Sequence, residues 1–180
     1  MRVIGGTARG RRLIDPRGEG IRPTSDMVKE SVFNIIQFDI EGRSVLDLFA
    51  GTGQLGVEAL SRGARNCMFV DSDHSAVKLI WENLKLCGFT ERAYVYARDA
   101  LSYLKGNGKF DLILLDPPYD TDLASKAIQR IIEFDKLNDN GIIISETRAD
   151  ASAPVVRPPY SLQKEYRYGK VLISRYVKMN

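Results

Sequence analysis

Five short apolar runs, separated by helical patterns and loops, constrain this chain more than any other feature. Ser44–Leu48, Cys67–Val70, Ala93–Tyr96, Asp111–Leu115 and Gly141–Ser145 are of the kind buried in a parallel sheet with both faces covered. Between them Val77, Ile80, Trp81 and Leu84 recur at i, i+3, i+4, i+7, and Ala124, Ala127, Ile128 and Ile131 repeat that spacing. An earlier helix is expected after Pro23, capped by Thr24 or Ser25, with Val28, Val32, Ile35 and Ile36 on one face. Such alternation predicts an α/β fold with a doubly wound, mostly parallel sheet and right-handed crossovers.

Both ends depart from this plan. Arg2–Gly5 and Arg11–Ile14 flank a Gly/Arg-rich turn and read as a small basic β-hairpin. After Pro154, Pro158 and Pro159, the runs Leu162–Tyr168 and Lys170–Val177 meet at Gly169 and read as an antiparallel hairpin that completes a seven-stranded sheet. The expected division is a basic extension over residues 1–22 and a main domain over 23–180. The arginines of the extension are expected to add little to a core, so that residues 1–12 are dispensable for folding.

Charge follows the same division. Residues 1–22 carry a balance of +4 and residues 157–180 one of +5, which leaves the middle of a +3 chain at −6. Basic ends on an acidic body point to a polyanion met by the termini; ordinary solvated surface is the plainer alternative. No apolar run approaches the roughly 18 residues that span a bilayer. The first residues lack the apolar stretch of a signal peptide, so a cytoplasmic protein with reduced thiols is expected. Cys67, Cys87 and the single histidine, His74, make a poor metal set, and no metal is expected.

The segment from Asp47 through Gly51, Thr52 and Gly53 to Gly56 follows a strand and opens a helix, the setting in which G-x-G-x-x-G has meaning. Asp71 lies 20 residues beyond Gly51, at the end of the next strand, where a carboxylate can accept the hydroxyls of an adenosine ribose. A dinucleotide fold shares that spacing. Asp47 separates the two, because a carboxylate beside the loop repels a pyrophosphate and attracts the cationic head group of S-adenosylmethionine. Asp99, followed by Ala100, is a further acid at a strand end and a candidate acceptor for an adenine amine. The plain reading of each lone Asp is a turn or helix cap.

Asp116-Pro117-Pro118-Tyr119 ends the fourth strand. Prolines permit any strand-ending turn. A sharper reading is chemical: a carboxylate and a backbone carbonyl on a rigid turn accept the two N–H bonds of an exocyclic base amine. They thereby favour its nucleophilic geometry. Tyr119 offers a face on which a flipped base stacks.

Through these motifs the chain resembles the Rossmann-like methyltransferases that use S-adenosylmethionine, and within them the RsmD-type 16S ribosomal RNA guanine-N2 methyltransferases. The resemblance runs through Gly5–Arg11, Arg22–Asp26, Lys29–Asn34, Asp47–Gly56, Glu58–Ala64 and Tyr168–Val171. Asp71 stands where the family pattern leads one to expect Glu, and Tyr119 where it leads one to expect Phe. The resemblance implies methylation of the guanine conventionally numbered 966 in 16S rRNA, on the small subunit or an assembly intermediate. Arg2, Arg9, Arg11, Arg12 and Arg22 are then the expected RNA contacts.

His74 reads as a capping or surface residue and Trp81 as core. Cys67 and Cys87 read as inert small side chains, and Glu146 as a residue that borders the cleft. Other acceptors, an adenine or a protein glutamine, suit the same motif; the basic termini favour rRNA. A nicotinamide oxidoreductase is opposed by Asp47, and a non-catalytic RNA-binding domain by the intact loop and Asp116.

Overall fold

The computed structural model describes residues 1–14, 26–119 and 121–179. Its strands are β1 (Ser44–Leu48), β2 (Asn66–Asp71), β3 (Ala93–Ala97), β4 (Phe110–Leu115), β5 (Leu137–Arg148), β6 (Tyr160–Tyr168) and β7 (Val171–Lys178). Helices α1 (Asp26–Ile35), α2 (Gln54–Ser61), α3 (His74–Cys87), α4 (Ala100–Tyr103) and α5 (Leu123–Glu133) alternate with them. The seven strands lie in the order β3-β2-β1-β4-β5-β7-β6. β1 to β5 are parallel, and β7 runs antiparallel to both β5 and β6. The expected α/β sheet with its closing hairpin is therefore the observed one.

Strand periodicity sorts the core into two layers. On β4, Leu112 and Leu114 face the side covered by α1, α2 and α3, whereas Ile113 and Leu115 face Ala127, Ile128 and Ile131 of α5. The α5 stripe matches its expected spacing. On α3 the buried set is Ala76, Ile80, Asn83 and Leu84; Val77 and Trp81 lie at its half-buried margin. β5 starts four residues before Gly141, because Leu137 pairs with Phe110 ahead of an irregularity in the ladder.

The N-terminal segment forms an antiparallel turn with one bridge, Arg2 to Arg12. It is not peripheral. Val3, Ala8 and Leu13 are buried in the same core as α1 and α2. Glu58, fully buried on α2, accepts the backbone N–H groups of Ile4 and Gly5 at 2.8 and 2.7 Å and pairs with Arg62. Ser61 accepts from the Ala8 backbone and donates to the Gly5 carbonyl. The arginines are exposed, as expected, but the apolar residues between them enter the core, and these contacts argue against the expectation that residues 1–12 are dispensable for folding. The expected boundary at residues 22 and 23, the cap at Thr24 or Ser25, and Arg22 lie outside the described residues. Among the described residues, no helix is long and apolar enough to cross a membrane, and no His/Cys/Asp/Glu group is placed to hold a metal.

Candidate active site

The chain reverses direction of travel across the sheet at β1, whose neighbours are β2 on one side and β4 on the other. In open α/β sheets a crevice forms beyond the carboxyl ends of the strands at such a point. Leu48 of β1 is level with Val70 of β2 and with Leu115 of β4, so Asp71 and Asp116, one residue further along their strands, reach the same edge. The resulting open cleft has a volume of about 680 Å³. That lies within the roughly 300–1,000 Å³ of a typical small-molecule pocket.

The glycine loop forms the cleft's first wall. Phe49, Gly51 and Gly53 all have left-handed backbones, with φ of 67°, 53° and 75°. This sharp turn hands β1 over to α2. A Cβ on Gly51 would meet no protein atom within 4 Å, so the loop backbone is open to a ligand there. Gly51 and Thr52 line the cleft; Gly53 and Gly56 do not. Gly56 has a different task. A Cβ at that position would come within 2.2 Å of the Phe69 ring, so its absence lets α2 lie against β2. The structure thus gives Gly56, a candidate cofactor-loop glycine, a role in helix–strand packing.

The acids around this loop are not equivalent. Asp47 is buried, shares the α2 face of β1, and accepts the Gly56 N–H at 2.8 Å. Burial, opposed by the Gly56 hydrogen bond and reinforced by the carboxylates of Asp116 and Asp71, pushes its carboxyl up to about 8. An ionised Asp47 therefore calls for a cation in the cleft. Asp71 accepts from the backbone nitrogens of Gly51 and Asp73 at 2.8 and 2.9 Å while lining the cleft. Asp99 caps α4 by accepting the Ser102 N–H at 2.8 Å, and both it and Ala100 line the far end of the cleft. The cap does not exhaust Asp99, because a carboxylate has lone pairs for more than one donor.

Opposite the loop, Asp116, Pro117, Pro118 and Tyr119 line the cleft together. Asp116 is half-buried, Pro117 buried and Tyr119 half-buried. The Tyr119 hydroxyl donates to Glu146, a buried carboxylate at the end of β5 that also lines the cleft. Sequence reasoning placed Glu146 at the border only; the contact with Tyr119 needs the β4–β5 register. It missed Asn83 altogether. That buried side chain donates to the Thr52 carbonyl at 3.0 Å and accepts from the Ile14 N–H at 2.7 Å, joining the glycine loop to the N-terminal segment. Its signal was an amide between Ile80 and Leu84 on an apolar stripe.

The basic residues divide into two groups. Arg2, Arg9, Arg11 and Arg12 are exposed, Arg2 lying 3.5 Å from Asp26. Among the C-terminal cations Arg175 is held by Asp39, and Lys178 by Asp135 and Asp139, as internal ties of the fold. Lys164, Arg167 and Lys170 remain on the exposed hairpin.

Comparison with known proteins agrees with this arrangement. The family described as Conserved hypothetical protein 95 matches residues 1–177. The Haemophilus influenzae protein named Ribosomal RNA small subunit methyltransferase D is 39% identical over 176 residues, covering 95% of this chain and 90% of that protein. The Escherichia coli protein of the same name is 33% identical over 177 residues, covering 98% and 89%. The solved structure of Escherichia coli yhhF superposes with a TM-score of 0.90 at 31% identity, over 99% of this chain and 98% of that one.

Proposed function

The chain belongs to the Conserved hypothetical protein 95 family. From that premise we infer that it methylates small-subunit ribosomal RNA, and we propose that its acceptor is the exocyclic N2 amine of a guanine, the one conventionally numbered 966. The observation that carries this reading is the meeting of Asp116-Pro117-Pro118-Tyr119 with the glycine loop in one cleft.

The cleft fits S-adenosylmethionine on its own chemistry. Asp47 is a buried carboxyl that ionises readily only beside a cation, Gly51 leaves its backbone bare, and Asp71 stands at a strand end suited to ribose hydroxyls. Asp99 and Ala100 lie where an adenine would be received. Bound there, the cofactor supplies an electrophilic methyl group on a sulfonium.

The protein's part is positioning more than acid–base work. Asp116 and a carbonyl of the Pro117–Pro118 turn accept the two N–H bonds of the amine and aim its lone pair along the cleft. Tyr119 stacks on the extruded base. Transfer of the methyl group would leave a neutral thioether behind, and the surplus proton of the amine would pass to Asp116 or to water. Exposed Arg2, Arg9, Arg11 and Arg12 hold the phosphate backbone, with Arg22 as a further proposed contact.

The test is transfer of a labelled methyl group to unmodified small subunits, followed by nucleoside analysis. N2-methylguanosine is the expected product. N6-methyladenosine, or label in protein glutamine, would show that the motif serves another planar amine.

A further inference from the structure

Asp116 follows Leu115, and Glu146 follows Ser145, its partner in the parallel β4–β5 register. The two acids are therefore lateral neighbours at the carboxyl edge of the sheet, on strands spaced about 4.8 Å apart. Both line the cleft, and Glu146 is only 3% exposed. A buried carboxylate is costly to keep without hydrogen-bond donors. Tyr119 supplies one from its hydroxyl to a single oxygen, Oε1. A carboxylate has about four acceptor sites, so this bond leaves capacity for a ligand donor.

The proposal rests on the guanine-N2 reading. With the N2 amine held by Asp116 and the proline turn, the next group along the Watson–Crick edge of guanine is the N1–H, a donor. Adenine and cytosine present a lone pair at the corresponding ring nitrogen, which a carboxylate repels. We propose that Glu146 selects guanine by accepting its N1–H, while the same side chain seats the Tyr119 ring on which the base stacks. Asp116 then serves the reacting amine, and Glu146 reads the identity of the base. A carboxylate set beside the reacting one, buried and facing the cleft, has the acceptor-only character this task requires.

The experiment uses small subunits reconstituted with 16S RNA carrying either guanine or 2-aminopurine at the target position. 2-Aminopurine keeps the N2 amine but has a lone pair at N1. The wild-type protein should prefer guanine in kcat/KM by about tenfold to a hundredfold, the range for a hydrogen bond to a charged group. Glu146→Ala and Glu146→Gln should lose part or all of that preference, Ala the more completely. Tyr119→Phe removes the hydroxyl that Glu146 accepts and should keep the preference. If Glu146 only seats the tyrosine, Tyr119→Phe will lose the preference as Glu146→Ala does, and the proposal fails. An unchanged guanine preference in folded Glu146→Gln also overturns it. No transfer by the wild type to guanine would overturn the underlying reading as well.

Discussion

The carboxylate of Asp71 accepts the backbone N–H of Gly51 at 2.8 Å. One acid thus holds the glycine loop in its left-handed turn and presents the same carboxylate to the cleft. The expected ribose contact and the loop's own geometry depend on a single side chain.

Asp71→Ala should therefore weaken S-adenosylmethionine binding by at least about 1.5–3 kcal/mol, the range for a hydrogen bond to a charged group. It should also lower the melting temperature of the cofactor-free protein, because Gly51 and Asp73 lose their acceptor. Asp71→Asn keeps an acceptor and should fall between. Calorimetry and thermal melts read both effects; unchanged affinity in Asp71→Ala would remove this residue from the site.

Asp47 should make cofactor binding depend on pH. Its carboxyl, raised to about 8 by burial, is largely protonated at neutral pH in the free protein. A bound cation lowers that value, so binding releases a proton, and affinity should fall by up to about tenfold per unit as pH drops below 8. Stability has the opposite slope. The folded value lies above the unfolded one, so this group's contribution is complete below about pH 4 and is lost as pH rises through 8. Asp47→Asn should flatten both profiles, stabilise the free protein at pH 8 by about 1–3 kcal/mol, and bind cofactor poorly. Parallel pH profiles for the two proteins would contradict this role.

Much of this cleft was legible in the sequence because its parts announce themselves locally. Short apolar runs mark strands, glycines after a strand mark the loop, and an acid at each following strand end marks the edge. What stayed hidden depends on contacts distant in sequence. Gly56 is required by the Phe69 ring, which only the packing of α2 on β2 brings near. Val3 and Leu13 are single apolar residues among arginines, too sparse to show a period, yet both are buried. Gly141 interrupts the apolar run of β5 and conceals its true start at Leu137. Arg175 and Lys178 count toward a basic surface in the sequence, but the fold sets Asp39, Asp135 and Asp139 beside them.

Glu58 should be a stability residue. Glu58→Ala leaves two backbone amides, of Ile4 and Gly5, without their acceptor and frees Arg62. A loss of about 2–4 kcal/mol is expected, within the range for removing one partner of a buried polar cluster. Deleting residues 1–12 should cost at least as much, since Val3 and Ala8 leave the core as well. Denaturant unfolding measures both; wild-type midpoints would mean that the segment is loosely attached.

The exposed N-terminal arginines should act on affinity and not on the choice of base. Arg9/Arg11/Arg12→Ala should weaken binding to unmethylated small subunits. It should also reduce the log–log salt slope by somewhat under one unit for each phosphate that is no longer neutralised. The modified position should not change. Identical slopes across a salt series would return these side chains to ordinary solvated surface and direct attention to Lys164, Arg167 and Lys170.

Everything proposed for the reaction turns on one point: the Asp116 turn positions an amine for methyl transfer inside the cleft that holds the cofactor. The decisive measurement is single-turnover transfer to unmodified small subunits, by wild type and Asp116→Ala, with cofactor saturating. The variant should bind S-adenosylmethionine nearly as the wild type does. It should transfer the methyl group about a hundredfold more slowly or worse, as for loss of an acceptor used in the transition state. Transfer by Asp116→Ala at the wild-type rate would contradict that role for the turn.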